Sequence, residues 1–103
     1  MYEIKILSPA WNDLDRIADM HLSMVGVQSA KNVTDGILNR IELLGTFPFS
    51  CPTVPDEELS GQGYRMAIYK KYLAIYRVIG NVVYIYHIAD GRANYPQIIK
   101  GYK

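Results

Sequence analysis

Three arginines and one histidine in the C-terminal part of the sequence have side chains that could bind and cleave a phosphodiester. Cleavage by a 2′-hydroxyl needs a base for its proton, cations near the phosphate and an acid for the leaving oxygen. Arg65, Arg77 and Arg92 are candidate phosphate ligands, because a guanidinium offers a rigid fork of donors to an anion. His87 is the candidate acid or base, since an unperturbed histidine has a pKa of about 6.5.

His87 also admits a structural interpretation, in which it is packed or hydrogen-bonded. It alternates with Val83 and Ile85 along a predicted strand and so shares one face with apolar residues. His21 lies on an apolar helical stripe and is interpreted as structural, or as capping a helical hairpin. Neither histidine has neighbouring ligands at a suitable spacing, and Cys51 is the single cysteine. We therefore expect no metal site and no cofactor.

The charge of the sequence is distributed unevenly. The 103 residues have a net charge of +1, but residues 1–63 carry four basic and nine acidic side chains, whereas residues 64–103 carry seven and one. The net charge is therefore −5 for the first part and +6 for the second, which predicts an anionic partner for the C-terminal part. The alternative is that the charges of the two parts neutralise each other within the fold. Lys70 and Lys71, in a predicted turn, join Arg77 as predicted RNA- or phosphate-binding residues.

The composition limits the class of protein. A sequence that is 50% hydrophobic and 20% charged is not intrinsically disordered, and its length fits one domain over residues 1–103. No apolar run approaches the roughly 20 residues of a membrane span, so we expect no membrane association. The first residues lack the pattern of a signal peptide, and we expect a cytoplasmic location.

Hydrophobic periodicity predicts a strand over residues 2–7 and then two helices. Ser8 and Pro9 mark the start of the first helix, as a cap and a first helical residue. Its apolar stripe consists of Trp11, Leu14, Ala18, Leu22 and Val25, and Gly26 ends it. The second helix carries Ala30, Val33, Ile37, Ile41 and Leu44, with Gly45 as its C-terminal cap. The short break between them predicts an antiparallel hairpin, with Gly36 allowing close approach of the first helix.

The second half of the sequence predicts a long loop and three strands. Residues 46–63 hold three prolines and two glycines and are predicted to form a loop with one short turn near Glu57. Strands are predicted over 64–69, 72–78 and 82–88, joined by Lys70-Lys71 and Gly80-Asn81, before a tail that forms a short helix or a last strand. The fold class is α+β, with the helices, including the Trp11 and Ile37 stripes, packed on the sheet beside Ile75 or Ala74.

Several segments in this order resemble a RelE/ParE-superfamily toxin of a bacterial type II toxin–antitoxin system. They are YEIKILSPAWNDLDRIADMH, ILNRIELLGTFPFSCP, YRMAIYKKYLAIYRVIGNVVYIYHIADGR and ANYPQII. The resemblance spans essentially the whole sequence, and residues 64–95 are its most specific part. It implies a growth-inhibiting protein, of the kind that stabilises plasmids, neutralised by a cognate antitoxin that docks on residues 2–7 and the helical hairpin.

Two branches of the superfamily imply two different activities. The RelE-like branch is a metal-independent endoribonuclease, an mRNA interferase that works on the ribosome. That resemblance places Arg65, Arg92 and Tyr95 with His87 in the catalytic site. Ala67 and Leu73, however, stand where such enzymes carry a second lysine and an arginine. The ParE-like branch inhibits DNA gyrase without hydrolysis, and a third alternative is a non-toxic member that acts only with its antitoxin. The RelE-like activity is the main prediction.

Overall fold

The predicted order of strand, helical hairpin and antiparallel strands is confirmed. The computed structural model describes residues 1–91 and 95–100. Its elements are β1 (Glu3–Ile6), α1 (Ser8–Met24), α2 (Val27–Glu42), a 3₁₀ turn (Leu43–Gly45), α3 (Glu57–Gly61), β2 (Arg65–Tyr69), β3 (Tyr72–Ile79), β4 (Val82–Asp90) and α4 (Tyr95–Lys100). The fold is α+β, and the tail forms a short helix.

The four strands form one sheet in the order β1-β4-β3-β2. The strand β1 lies parallel to β4, with Glu3 opposite Val82, whereas the other pairs are antiparallel. Two-residue turns join β2 to β3 and β3 to β4, and Gly80 has the positive φ, 61°, that such a turn requires. The first and last strands along the chain, β1 and β4, are therefore neighbours. The two edges of the sheet are β1 and β2.

Helix α1 packs a different stripe on the sheet from the one predicted. Its buried residues are Ala10, Asp13, Leu14 and Ile17. Trp11, Leu22 and Val25 are 45%, 49% and 73% exposed, so the predicted Trp11 stripe is wrong apart from Leu14. Ala10, Leu14 and Ile17 also recur at spacings of four and three, and this stripe is the one that meets β4.

The predicted cap at the start of α1 is also wrong. The helix already begins at Ser8, so Leu7 occupies the capping position and no side chain caps the helix. Pro9 lies in the first turn as expected, where its missing N–H would have had no intrahelical partner. The start of this helix therefore depends on proline and on packing rather than on a serine cap.

Helix α2 buries the predicted residues Val33, Ile37 and Ile41. The roles predicted for Gly36, within the helix, and Gly45, in the 3₁₀ turn after it, are wrong. A Cβ at Gly36 would lie 2.1 Å from Cζ of Tyr69, so this glycine admits the tyrosine ring of β2 and not helix α1. Gly45 has no positive φ and is no left-handed cap. Its carbonyl accepts a hydrogen bond from Tyr2 N (2.8 Å), which joins the end of the hairpin to the start of β1.

Two apolar clusters lie on the two faces of the sheet. On the inner face, Ala67, Ala74, Tyr76 and Ile85 belong to the cluster that α1 and α2 cover. On the outer face, Ile75 packs in a smaller cluster with residues of the long loop, α3 and α4. Of the two predicted partners of the helices, Ala74 is therefore correct and Ile75 faces the other way.

Candidate functional site

Arg65 lies at the start of β2, where the long loop crosses the edge of the sheet. Its Nη1 donates to the carbonyl oxygen of Cys51 (2.6 Å) and makes a longer contact of 3.5 Å with that of Phe49. The guanidinium carbon is also 5.2 Å from the centre of the Phe49 ring. One of the N–H groups of Arg65 that were expected to bind a phosphate therefore binds carbonyl oxygens of the long loop instead.

Arg77 lies in β3 between two aromatic rings. Its guanidinium carbon is 4.7 Å from the ring centre of Tyr64 and 5.2 Å from that of Tyr86. Both Nε and Nη2 donate to the Tyr86 hydroxyl, at 3.2 and 2.9 Å. Burial raises the pKa of the Tyr64 hydroxyl, and the charge of Arg77 opposes that shift. Within residues 1–91 and 95–100, no carboxylate forms an ion pair with Arg77.

The structure places these two arginines on opposite faces of the sheet. Arg65 pairs with Tyr76, which belongs to the inner cluster, and Arg77 is the next residue of the same strand. Because successive side chains of a strand point to opposite faces, Arg77 projects from the outer face. The two guanidinium groups therefore do not share one anion-binding surface. Arg92 lies outside the described residues.

His87 is buried and paired with a carboxylate that sequence reasoning missed. Its Nδ1 lies 2.8 Å from Oδ2 of Asp13, and the same oxygen accepts from Ile88 N at 2.9 Å. His87 therefore donates through Nδ1, because a carboxylate is an acceptor. Arg16 binds the other carboxylate oxygen of Asp13. The pair connects α1 to β4 near the register shift between Ile75 and Tyr76, which interrupts the alternation expected along β4.

A cleft of about 480 Å³ opens beside this pair, between α1, the end of β4 and α4. Tyr95 and His87 both line it, so these two predicted site residues are brought to one cavity. Tyr95 also packs against the outer apolar cluster, and burial together with the negative charge of Asp56 raises the pKa of its hydroxyl. Three carboxylates, those of Asp13, Asp19 and Asp90, outnumber the one guanidinium of the lining, that of Arg16, which does not suit a bound phosphate.

Lys70 and Lys71 occupy the turn at the other end of the β2–β3 hairpin from Arg65 and Arg77. The ammonium of Lys71 is 3.8 Å from Asp90, and that of Lys70 lies 5.6 Å from the centre of the Tyr69 ring. Five residues separate Lys71 from Arg77 along an extended strand, a distance of roughly 20 Å. The predicted cationic residues thus occupy three separate places in the described part of the chain.

His21 has the structural position expected for it. Its two ring nitrogens lie 3.1 Å from Oγ of Ser29 and 2.9 Å from the hydroxyl of Tyr72. It therefore links α1 to α2 and to β3. The described residues contain no group of three His, Cys, Asp or Glu side chains that could hold a metal ion. No helix among them is long and apolar enough to cross a membrane.

Comparison with known families identifies the chain. A family model described as "ParE toxin of type II toxin-antitoxin system, parDE" matches residues 4–95. The chain belongs to this ParE toxin family. Membership confirms the resemblance to RelE/ParE-superfamily toxins and makes the chain a type II toxin. A search of curated proteins found no match.

One solved structure similar to this ParE-family chain shows the same fold, and a second is less similar. A chain from the "Chromosomal ParDE TA system from P. aeruginosa" is 24% identical with a TM-score of 0.75, over 87% of this chain and 96% of that one. A chain of the RelBE2 toxin–antitoxin complex from Mycobacterium tuberculosis is 16% identical with a TM-score of 0.48, over 86% and 96% respectively. The first of these agrees with the order of strands and helices described above.

The positions where the sequence departs from the RelE-like pattern also have a structural explanation in this ParE-family chain. Ala67 is 1% exposed and pairs with Ala74 under the helices. A lysine at this position would have to leave the inner cluster to reach solvent or substrate. Leu73 is half-buried and packs in the outer cluster. Both positions contribute to apolar packing here.

Proposed function

We propose that this ParE-family toxin inhibits DNA gyrase by binding to it and does not cleave RNA. The observation that carries the proposal is the separation of Arg65 and Arg77 on opposite faces of the sheet. RNA cleavage needs its base, acid and cations within hydrogen-bonding distance of one phosphate. Family membership supports the same choice, because gyrase inhibition is the activity that the resemblance to the ParE-like branch implies.

The environment of His87 supports a binding function in a second way. A general acid or base must reach the proton that it transfers. The side chain of His87 is 11% exposed, and its ring is oriented by Asp13, which also binds the backbone of Ile88. This arrangement joins α1 to the last strand and gives the histidine a structural role. Although His87 lines the cleft with Tyr95, the hydrogen bond of its Nδ1 to Asp13 supports the structural role over the predicted catalytic one.

Two assays on the purified chain test this proposal. We expect the protein to inhibit the supercoiling of relaxed plasmid by purified gyrase, and induced expression to leave mRNA without new cleavage ends in primer extension. Cleavage at defined codon positions with unaffected gyrase would overturn the proposal in favour of the RelE-like activity. Absence of both gyrase inhibition and mRNA cleavage would overturn the proposal in favour of the non-toxic member that acts only with its antitoxin.

We propose an antitoxin as the partner that covers the end of the helical hairpin and the free edge of β1. Met24, Val25 and Val27 are 77%, 73% and 73% exposed, and Leu22 beside them is 49% exposed. Exposed apolar residues grouped in this way are typical of protein interaction sites. The outer edge of β1 could also accept an added strand, a common way of binding a peptide.

Co-expression with the product of the adjacent gene tests the antitoxin proposal. We expect a stable complex that restores growth, and we expect Val25→Asp to weaken it by at least tenfold, since a charge would replace an apolar contact. Ile79→Asp is the matched control, because Ile79 is another exposed β-branched residue (50%, against 73% for Val25) but lies at the end of β3. Equal effects of the two substitutions would exclude the hairpin end as the docking site.

A further inference from the structure

The turn between β2 and β3 forms one wall of a cleft separate from the cavity beside His87. The cleft has a volume of about 500 Å³ and lies between this turn, α1 and the first turns of α2. We call it the turn cleft. Its polar and charged lining residues are His21, Ser29, Asn32, Lys70 and Lys71.

Both lysines of the turn cleft are exposed, and they carry its formal positive charge. No carboxylate in the described ranges, 1–91 and 95–100, forms an ion pair with Lys70. Lys71 has one carboxylate nearby, that of Asp90, at 3.8 Å, and its ammonium is 5.4 Å from the centre of the Tyr72 ring. Asp90 offsets part of the charge of Lys71 but is not a lining residue, and the lining itself includes no acid, so the formal charge of the lining is positive and favours anions.

Lys70 has a backbone conformation that favours glycine. Its φ is 54°, and it is the one non-glycine residue with a positive φ in the described part of the chain. The first residue of a two-residue hairpin turn often has a positive φ, which glycine, asparagine and aspartate adopt most easily. A lysine at this position keeps a positive charge at the mouth of the cleft at the expense of backbone strain, and such strain is concentrated at functional sites.

Hydrogen-bonding side chains line the rest of the turn cleft, and the contacts between them fix their arrangement. His21 is held between the hydroxyls of Ser29 and Tyr72, at 3.1 and 2.9 Å. The carbonyl oxygen of the Asn32 side chain accepts from Gln28 Nε2 at 2.8 Å, which leaves the amide group of Asn32 as a donor. A bound anion would therefore meet ammonium groups on one side and a side-chain amide on the other.

We propose that the turn cleft binds a phosphate group, carried either by a nucleic acid strand or by a free nucleotide. Lysines are common phosphate ligands, and a volume of about 500 Å³ admits more of the ligand than the phosphate alone. The proposal stands apart from the identity of the toxin's target, since it concerns binding by the isolated chain.

Titrations of the ¹⁵N-labelled chain followed by NMR test the site. Inorganic phosphate, adenosine monophosphate and a single-stranded DNA 12-mer are added in separate experiments. We expect each bound ligand to shift the amide signals of Asn32, Lys70 and Lys71. Tightest binding of the 12-mer identifies a strand as the source of the phosphate, and tightest binding of the mononucleotide identifies a free nucleotide. Shifts confined to other residues, or none with any ligand, overturn the proposal.

Substitution of Lys70 separates its charge from its backbone conformation. Lys70→Gln and Lys70→Gly both remove the charge, and glycine also relieves the strain of the positive φ. A loss of ligand binding that both variants share is therefore due to the missing charge and not to a folding defect. For the single-stranded 12-mer, we expect both to reduce the salt dependence of log affinity by about 0.7 units of slope, and for the mononucleotide we expect both to lower the affinity itself. Lys5→Gln, an exposed lysine of β1, is the matched control and should leave the slope unchanged. Equal slopes in all variants would contradict the proposal.

Discussion

The inner and outer faces of the sheet bury similar side chains but are covered in different ways. On the inner face, helices of 17 and 16 residues cover a cluster of fifteen buried residues among those described. On the outer face, helices of five and six residues and the long loop cover a cluster of five. The inner face therefore holds most of the buried apolar surface, which is the main source of stability.

The difference extends to the polar groups of each face. Arg65, near the inner face, donates to loop carbonyls, whereas Arg77 on the outer face contacts two aromatic rings and donates to a tyrosine hydroxyl. The ends of the outer cover are joined by ion pairs from Lys100 to Asp56 and Glu58, at 3.1 and 2.9 Å. We infer that the outer cover opens before the inner core unfolds, because partly exposed ion pairs and a small cluster resist local unfolding weakly.

Truncation of one isoleucine on each face gives the largest expected effects. Ile85 and Ile75 are both 0% exposed and lie in the two central strands, on the inner and outer faces respectively. We expect Ile85→Ala to lower the free energy of unfolding by about 4 kcal/mol and Ile75→Ala by about 2 kcal/mol, because the smaller cluster can collapse around the cavity. Urea unfolding measures both, and equal losses would contradict the inferred difference between the faces.

Gly36→Ala tests how closely the inner cover fits the sheet. The new methyl group would overlap the ring of Tyr69, so we expect a loss of about 1–2 kcal/mol despite the better helix propensity of alanine. Gly61→Ala in α3 is the control, since nothing lies within 4 Å of the new carbon and its effect should be neutral or stabilising. In a chain that already carries Tyr69→Ala, Gly36→Ala should cost little, because the ring that the methyl group would overlap is absent. Thermal melts of the single and double variants measure these differences.

Tyr76→Phe removes one buried hydrogen bond beneath the helices. The hydroxyl of Tyr76 donates to the carbonyl oxygen of Pro48 at 2.8 Å, so we expect a loss of about 1 kcal/mol at neutral pH. Burial raises the pKa of Tyr76 above 10.0, its ordinary value. The unfolded chain therefore releases this proton first, and stability falls as the pH rises above 10. The phenylalanine variant should lose less stability between pH 9 and 11 than the parent chain.

Acid should loosen the outer cover before it affects the inner core. The amide of Leu59 and the ammonium of Lys100 hold the pKa of Asp56 below its ordinary value of 3.8. The resulting stabilisation is present above pH 3.8 and is lost as the pH falls through the lowered value. We expect the protection factors of the α4 amides, which correct for the intrinsic pH dependence of exchange, to fall as the pH is lowered from about 4 to 2, and to fall less in Asp56→Asn. Asp35→Asn, at an exposed position of α2, is the control and should leave the pH dependence of α4 exchange as it is in the parent chain.

The sequence predicts which face of a helix is buried when only one face of that helix carries a regular apolar stripe. Val33, Ile37 and Ile41 form the principal apolar stripe of α2, and all three are buried. In α1, two stripes of similar spacing compete, and contact with the sheet decides between them. The buried one contains Asp13, which resembles a surface residue until its partner His87, 74 positions away, is known. Pairings of that kind depend on tertiary structure and cannot be derived from local periodicity.

The arrangement of the arginines could have been predicted more fully. A two-residue turn at Lys70 and Lys71 pairs Arg65 with Tyr76, and this pairing places Arg77 on the opposite face. The predicted turn already implied this register. The stacking of Arg77 between Tyr64 and Tyr86 could not have been derived, since Tyr64 precedes β2 and its position depends on the long loop.

The parallel pairing of β1 with β4 determines when, during synthesis, the sheet can be completed. Residues 3–6 hydrogen-bond beside residues 82–85, so the first strand waits for almost the whole chain before it finds its neighbour. At translation rates of about 5–20 residues per second, that interval is roughly 4–16 s. A nascent toxin built in this way cannot close the β1 side of its sheet until β4 has been translated, so the pairing of these strands belongs to the last stage of folding.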